Sequence, residues 1–162
     1  MLMERLYIIC IDDQREVLDA ISKDLAPLEG PFLIEECESA EEALDVLEDI
    51  DAEGGYPAVI VSDHVMPEKN GVEFLVEVNQ DSRFVATKKI LLTGLATHQD
   101  TIQAINYAAI DKYIEKPWKA DALVQQVRIL LTSYILDKGL DYEPFRSYLD
   151  LPTLLEKLRK SS

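Results

Sequence analysis

What this chain lacks narrows its class before any motif is read. None of its apolar runs approaches the ~20 residues that a membrane span requires. The N-terminus, Met1-Leu2-Met3-Glu4-Arg5, leads into a short strand-like run and shows no signal-peptide pattern. These absences lead us to expect a cytoplasmic protein with no membrane partner. There are two cysteines, Cys10 and Cys37. Both fall in predicted strands and read as small buried hydrophobes rather than a disulfide. No cysteine–histidine cluster suggests zinc. Basic residues are scarce: 16 Lys and Arg stand against 31 Asp and Glu, a net charge of −15. None lies between Asp24 and Glu68. Nucleic-acid binding needs clustered basic side chains, so no such partner is expected. The tail likewise has too few basic residues, and too little length, for a helix-turn-helix. Much of the acidity falls in Glu35 to Glu53, which reads as a solvated helix face.

What is present reads as alternating strand and helix. Arg5 to Ile11 is an apolar strand, and Gln14 to Ala26 a helix with Val17, Leu18, Ile21 and Leu25 on one face. Pro27 and Gly30-Pro31 break it. Phe32 to Cys37 is a second strand. Ser39-Ala40-Glu41-Glu42 is a capping box that opens a helix with Ala40, Ala43, Leu44, Leu47 and Ile50 inward. Gly54-Gly55 ends that segment. Ala58 to Val61 is a β-branched run buried on both faces, with Asp63 just past its end. Asn70 caps a short helix over Val72 to Val78. Lys89 to Leu92 is a fourth strand. Ala96 to Ala108 is a weaker helix with Ile102, Ile105 and Ala109 apolar. Lys112 to Glu115 is a fifth strand, and Ala120 to Leu136 a long helix. The alternation predicts an α/β fold, a parallel sheet with helices on both faces and right-handed crossovers. One domain over residues 1–137 is expected, followed by a helical C-terminal extension over 138–162. In the extension, Asp141 to Leu149 and Pro152 to Lys160 read as helical pieces. Leu151, Leu154, Leu155 and Leu158 form a stripe, and Thr153 to Glu156 is a possible capping box. The long helix is apolar nearly all round, so either the tail folds back onto it or a partner covers it.

The strand ends carry the chemistry. Strand one stops at Asp12-Asp13, strand three at Asp63, strand four at Thr93-Gly94 and strand five at Lys116-Pro117. In an open parallel sheet, C-terminal strand ends are where ligands gather. Three acids, one hydroxyl and one ammonium would then share one rim. Carboxylates brought together repel unless a cation offsets them, and an all-oxygen set suits Mg²⁺ or Mn²⁺. A carboxylate there can act as a nucleophile toward phosphorus. Lys116 supplies a point charge and Thr93 a hydroxyl for the transferred phosphoryl oxygens.

Ile11-Asp12-Asp13-Gln14, Ser62-Asp63-His64-Val65-Met66-Pro67, Asn70-Gly71, Leu92-Thr93-Gly94 and Tyr113-Ile114-Glu115-Lys116-Pro117-Trp118 together resemble the receiver domain of two-component response regulators, similar to the chemotaxis regulators, over roughly residues 5 to 136. The resemblance implies a flavodoxin-like, doubly wound, five-stranded sheet of order 2-1-3-4-5. It implies that Asp63 accepts phosphate from a sensor histidine kinase. Asp13, Asp63 and the backbone carbonyl of Val65 would ligate Mg²⁺, with Asp12 holding a metal-bound water. Lys116 and Thr93 would contact the phosphoryl group. Thr93 and Tyr113 would form the switch, and the bond before Pro117 would be cis. Phosphorylation would bias a two-state equilibrium of the Thr93/Tyr113 face, with a homodimer or output contact through residues 120–162.

The sequence departs from the family at Val65, where many relatives carry a polar side chain. Val65 cannot position a hydrolytic water, so a long-lived acyl phosphate and slow self-dephosphorylation are expected of a stoichiometric acceptor rather than an enzyme. Gly94 leaves the site open and acts the other way. His64 reads as a rim residue, His98 as an exposed helix residue and Trp118 as packing at a helix start. Three other readings fit less well. A Mg²⁺-dependent aspartyl phosphatase would carry Asp-x-Asp after strand one, where this chain has Asp12-Asp13-Gln14. An unphosphorylated pseudo-receiver scaffold would not need the intact residue set. A flavin site would need a glycine- and hydroxyl-rich loop after strand one. The chain either acts by protein contact alone or is the front piece of a longer protein.

Overall fold

The structure, a computed structural model, describes residues 4–94, 102 and 104–161. Its elements are β1 (Leu6–Ile11), α1 (Arg15–Asp24), β2 (Leu33–Cys37), α2 (Ala40–Ala52), β3 (Tyr56–Asp63), α3 (Gly71–Gln80), β4 (Lys88–Thr93), β5 (Lys112–Glu115), α4 (Ala120–Asp137) and α5 (Leu151–Ser161). Short 3-10 turns lie at Ala26–Leu28 and Glu143–Tyr148, and a π-helical turn at Ala104–Ala108. The five strands are all parallel in the order β2-β1-β3-β4-β5. The doubly wound sheet is therefore the one expected.

Strand periodicity divides the core. Along β1, Leu6, Ile8 and Cys10 face α1 and α4, while Tyr7, Ile9 and Ile11 face α2 and α3. All six are buried, as befits a strand covered on both sides. Leu18 and Ile21 of α1 and Leu123, Val127, Leu131 and Ile135 of α4 close the first face. Ala43 and Leu47 of α2 and Phe74, Leu75 and Val78 of α3 close the second. Cys10 and Cys37 are buried free thiols on opposite faces.

Several element ends differ from expectation. Helix α1 stops at Asp24, because Pro27 lacks an N–H and turns the following residues into a 3-10 turn. Strand β3 runs on through Asp63, which pairs with Leu92, because β4 lies alongside to that point. Ser39 caps α2 through the Glu42 N–H at 3.1 Å, but Glu42 returns to the Glu38 N–H rather than to Ser39. The full reciprocal box forms at Asn70 and Glu73, which opens α3. Of the expected helix 96–108, residues 95–101 and 103, His98 among them, lie outside the described residues. Of the remainder, Ile102 is helical and exposed, and Ala104–Ala108 form a π turn whose last residue, Ala108, is buried; Ala109, just past it at positive φ, is exposed.

The tail folds back onto α4. Phe145 is fully buried and stacks on Phe32 with ring centroids 5.3 Å apart. The helix cap is Asp150, not Thr153: its carboxylate accepts from the Thr153 N–H at 3.1 Å and from the Thr153 hydroxyl. The same carboxylate accepts from Gln125 of α4 at 2.8 Å, and the Asp150 N–H donates to the Thr132 hydroxyl at 2.9 Å. Asp137 takes Lys88 on one oxygen and Lys157 on the other, at 2.9 and 2.8 Å. The expected leucine stripe is narrower than four residues. Leu154 is buried against α4, Leu158 is half-buried, and Leu151 and Leu155 face outward.

Candidate functional site

Because the strands are parallel and in step, their C-terminal ends deliver Asp12, Asp13, Asp63, Thr93 and Lys116 to one rim. One carboxylate oxygen from each of Asp12, Asp13 and Asp63 lies within 4.8 Å of the others. Asp12 and Asp63 are buried, and Asp13 is exposed. Lys116 brings the one ammonium that pairs with this cluster among the described residues. Its Nζ donates to Asp63 Oδ1 at 2.5 Å and lies 3.7 Å from Asp12 Oδ2.

Each side chain is set by its local structure. Asp12 Oδ1 accepts the Gln14 N–H at 2.9 Å and so shapes the turn into α1. The Asp12 N–H donates to the Cys37 carbonyl at 3.1 Å, tying the turn to β2. Asp63 is held by its backbone: its carbonyl accepts the Ser62 hydroxyl at 2.9 Å. The next peptide is pinned on both sides. The His64 N–H donates to the Leu92 carbonyl at 3.2 Å, and the His64 carbonyl accepts the Gly71 N–H at 2.8 Å. Thr93 closes β4 as a buried hydroxyl, and its carbonyl accepts the Lys116 N–H at 2.9 Å. Lys116 is thereby fastened to the end of β4, and the Lys116–Pro117 peptide bond is cis. Tyr113 is half-buried in β5, opposite Leu91, and packs on the face covered by α2 and α3. Met66 is buried and anchors the loop after β3, while Val65 is 78% exposed on it. His64 is half-buried at the rim. Trp118 packs on the α1/α4 side and donates its indole N–H to Asp24 at 2.8 Å.

The electrostatics are unbalanced. At an effective dielectric near 20, each carboxylate pair at this spacing repels by about 3 kcal/mol. One ammonium cannot offset three such groups. Burial pushes the Asp12 carboxyl above the usual range. The Asp63 and Asp13 charges add to that rise, and the Gln14 N–H and Lys116 oppose it. Asp12 Oδ2 is buried without a hydrogen-bond partner. An orphaned buried oxygen in an all-carboxylate cluster matches the donor set a hard divalent cation takes.

Sequence reasoning missed two residues here. Ser62 enters the sequence reading only as the first residue of the motif around Asp63, with no role of its own. Gly71 enters only beside Asn70 in the Asn70-Gly71 motif, and its contact with β3 has no local signature.

The chain belongs to the response regulator receiver domain family, the phosphoacceptor signalling switches of two-component systems; the family model, described as response regulator receiver domain, matches residues 8–128. Among curated proteins it is 32% identical over 155 residues to the hydrogenase transcriptional regulatory protein HoxA of Cupriavidus necator, covering 96% of this chain and 29% of that one. It is 30% identical over 128 residues to the response regulator Rre1 of Synechocystis, covering 79% of this chain and 52% of that one. The chain thus spans about half the length or less of these relatives. Among solved structures, the signal receiver domain of an HD domain-containing protein from Pseudomonas fluorescens superposes with a TM-score of 0.70 at 27% identity, covering 81% of this chain and 98% of that one. Receivers of this family are typically phosphoacceptors rather than catalysts. No helix among the described residues is long and apolar enough to cross a membrane.

Proposed function

We propose that Asp63 is the phosphoacceptor and that a sensor histidine kinase is the donor. A carboxylate oxygen of Asp63 attacks phosphorus. The bond from phosphorus to the kinase imidazole nitrogen breaks, and its electron pair returns to the ring. The observation that carries this reading is the cluster itself: three carboxylates within 4.8 Å of one another and Lys116 at 2.5 Å from Asp63. Asp13, Asp63 and the Val65 carbonyl would hold Mg²⁺, or Mn²⁺, with Asp12 on a metal-bound water. When bound, that ion neutralises charge on the phosphoryl oxygens. Asp12 Oδ2, buried and without a hydrogen-bond partner, suits the water-holding role. Lys116 moves from Asp63 Oδ1 to the phosphoryl oxygens, and the Thr93 hydroxyl donates to them.

The added charge is about −1.5 to −2 at neutral pH. It draws Thr93 toward the site and leaves room for Tyr113 to turn inward, which shifts the β4–β5 face between two pre-existing states. Val65 carries no group that could orient a hydrolytic water, so self-dephosphorylation is slow and the protein is a stoichiometric carrier. A cytoplasmic site of action agrees with a kinase donor. Contact with a second copy or an output protein through residues 120–162 falls to the outward residues of that stretch, since the inward ones are taken up by the chain itself.

The test is intact-mass measurement with acetyl phosphate and Mg²⁺. One phosphoryl group should be gained, located on Asp63 and absent in Asp63→Asn. A wild-type mass that stays unchanged with this donor, together with no response to beryllofluoride, would overturn the reading. An acyl phosphate that decays within seconds at neutral pH would overturn the slow-hydrolysis part alone.

A further inference from the structure

Gly71 does not need a glycine backbone: its φ is not in the left-handed region. It needs empty space. A Cβ built there would fall well inside 3.0 Å of the Asp63 carbonyl oxygen, and would lie 2.9 Å from Leu91 Cδ1 and 3.0 Å from His64 Cα. The nearest atom is backbone, so no side-chain rotation relieves the overlap. The same carbonyl is held on another side by the Ser62 hydroxyl, and the next one accepts the Gly71 N–H. The first residue of α3 is therefore pressed directly against the peptide that leaves Asp63.

We propose that Gly71 is a positioning residue for the phosphoacceptor site: its missing side chain lets α3 act as the stop against which the Asp63–His64 peptide is set. This rests on the reading of Asp63 and Val65 given above. The side chain of Asp63 and the carbonyl of Val65 lie at the start and the third residue of the loop this stop defines. A methyl group at position 71 forces either the loop or the helix to move by roughly 1 Å. A site of this kind tolerates about 0.5 Å, and a 1 Å error can cost about a hundredfold in rate.

Gly55 offers a second tightly packed glycine, near the other end of β3, as a control. A Cβ there meets Tyr7 Cε2 at 2.9 Å and Ile50 Cγ2 at 3.1 Å, a milder crowding against side-chain atoms, far from the rim. The experiment compares wild type, Gly71→Ala and Gly55→Ala by Mn²⁺ titration calorimetry, by acetyl phosphate labelling, and by amide chemical shifts of the metal-free proteins. Gly71→Ala should label about a hundredfold more slowly and bind Mn²⁺ at least tenfold more weakly, with metal-free shift changes centred on residues 62–66. Gly55→Ala should lose thermal stability yet keep both functions within about twofold. Equal behaviour of the two variants, or Mn²⁺ affinity and labelling retained in Gly71→Ala, overturns the proposal. A wild type that neither binds Mn²⁺ nor labels overturns the underlying reading instead. Should Gly71→Ala fail to fold, Ser62→Ala tests the same carbonyl by loosening it. A severalfold loss of Mn²⁺ affinity supports the proposal, and unchanged affinity overturns it.

Discussion

The two ends of the sheet each hold a lysine ammonium, and they treat it differently. At the C-terminal rim, Lys116 faces carboxylates: Asp63 at 2.5 Å and Asp12 at 3.7 Å. At the N-terminal edge, Lys89 is 1% exposed, and its ammonium donates to a neutral acceptor, the Thr87 carbonyl, at 2.8 Å. The carboxylate nearby, Asp111, accepts from the Lys89 backbone N–H at 2.7 Å. Burial pushes the Lys89 amino group below its ordinary pKa; Asp111 pulls it back up and Lys88 adds to the lowering. The rim thus gathers more negative charge than it can neutralise, which is a condition for binding something. The other edge buries one lysine, Lys89, and is buttressed by the tail, through Phe32–Phe145 and the Lys88–Asp137–Lys157 clasp. One end is poised for ligand, and the other for stability.

The contrast can be broken most forcefully at the tail. Phe145→Ala empties a fully buried position and should cost about 3–5 kcal/mol in chemical denaturation. Acetyl phosphate labelling measured well below the melting temperature should be unchanged. Loss of labelling in a folded Phe145→Ala protein would mean that the buttressed edge and the rim are not separate in function.

Lys116→Met is the next largest. It leaves Asp12 and Asp63 together without their ammonium. Lys116 is partly exposed, so the cost should be about 2 kcal/mol, less than for a fully buried pair. Saturating Mg²⁺ should recover much of this, because a ligand bound only by the native state stabilises it. Labelling should slow by at least tenfold. Equal melting temperatures for wild type and variant without metal would refute the ion-pair account.

Lys89→Met should have the smallest effect and the opposite sign, a gain of about 1 kcal/mol at neutral pH, since a buried charge is replaced by an apolar chain of similar length. The pH dependence sharpens it. The native pKa is depressed, so between that value and the ordinary lysine value the unfolded chain holds a proton the native state has released. Wild-type stability then rises with pH through this window. The advantage of Lys89→Met should shrink from about pH 7 to about pH 10. A constant offset between the two proteins would show that Lys89 does not titrate on unfolding.

Much of the rim was legible because each part of it is local. Asp12-Asp13, Asp63, Thr93 and Lys116 each follow an apolar run, and Asn70 caps a helix through a residue three positions on. The less legible parts were contacts between distant segments. Lys89 sits inside a run that reads as strand, and nothing in its neighbours announces that its side chain is covered. The cap of α5 was misplaced from Asp150 to Thr153 because both residue types cap helices, and the choice was made by Gln125 and Thr132 on another helix. The π turn escaped periodicity because a 3.6-residue repeat cannot describe an i to i+5 turn, and Ala109 falls past its end at positive φ.

By itself the sequence determined the alternation of strands and helices, the parallel sheet and the gathering of acids and lysine at its strand ends, since these depend on spacings of two to four residues and on the rule that parallel strands end on one side. Only the tertiary structure decided that Phe145 lies on Phe32, that a lysine is buried at the edge away from the site, and that α3 touches the peptide of Asp63 with no room for a methyl group. Those outcomes depend on which surfaces meet when segments far apart in the chain pack, and close packing is a property of the assembled volume rather than of any stretch within it.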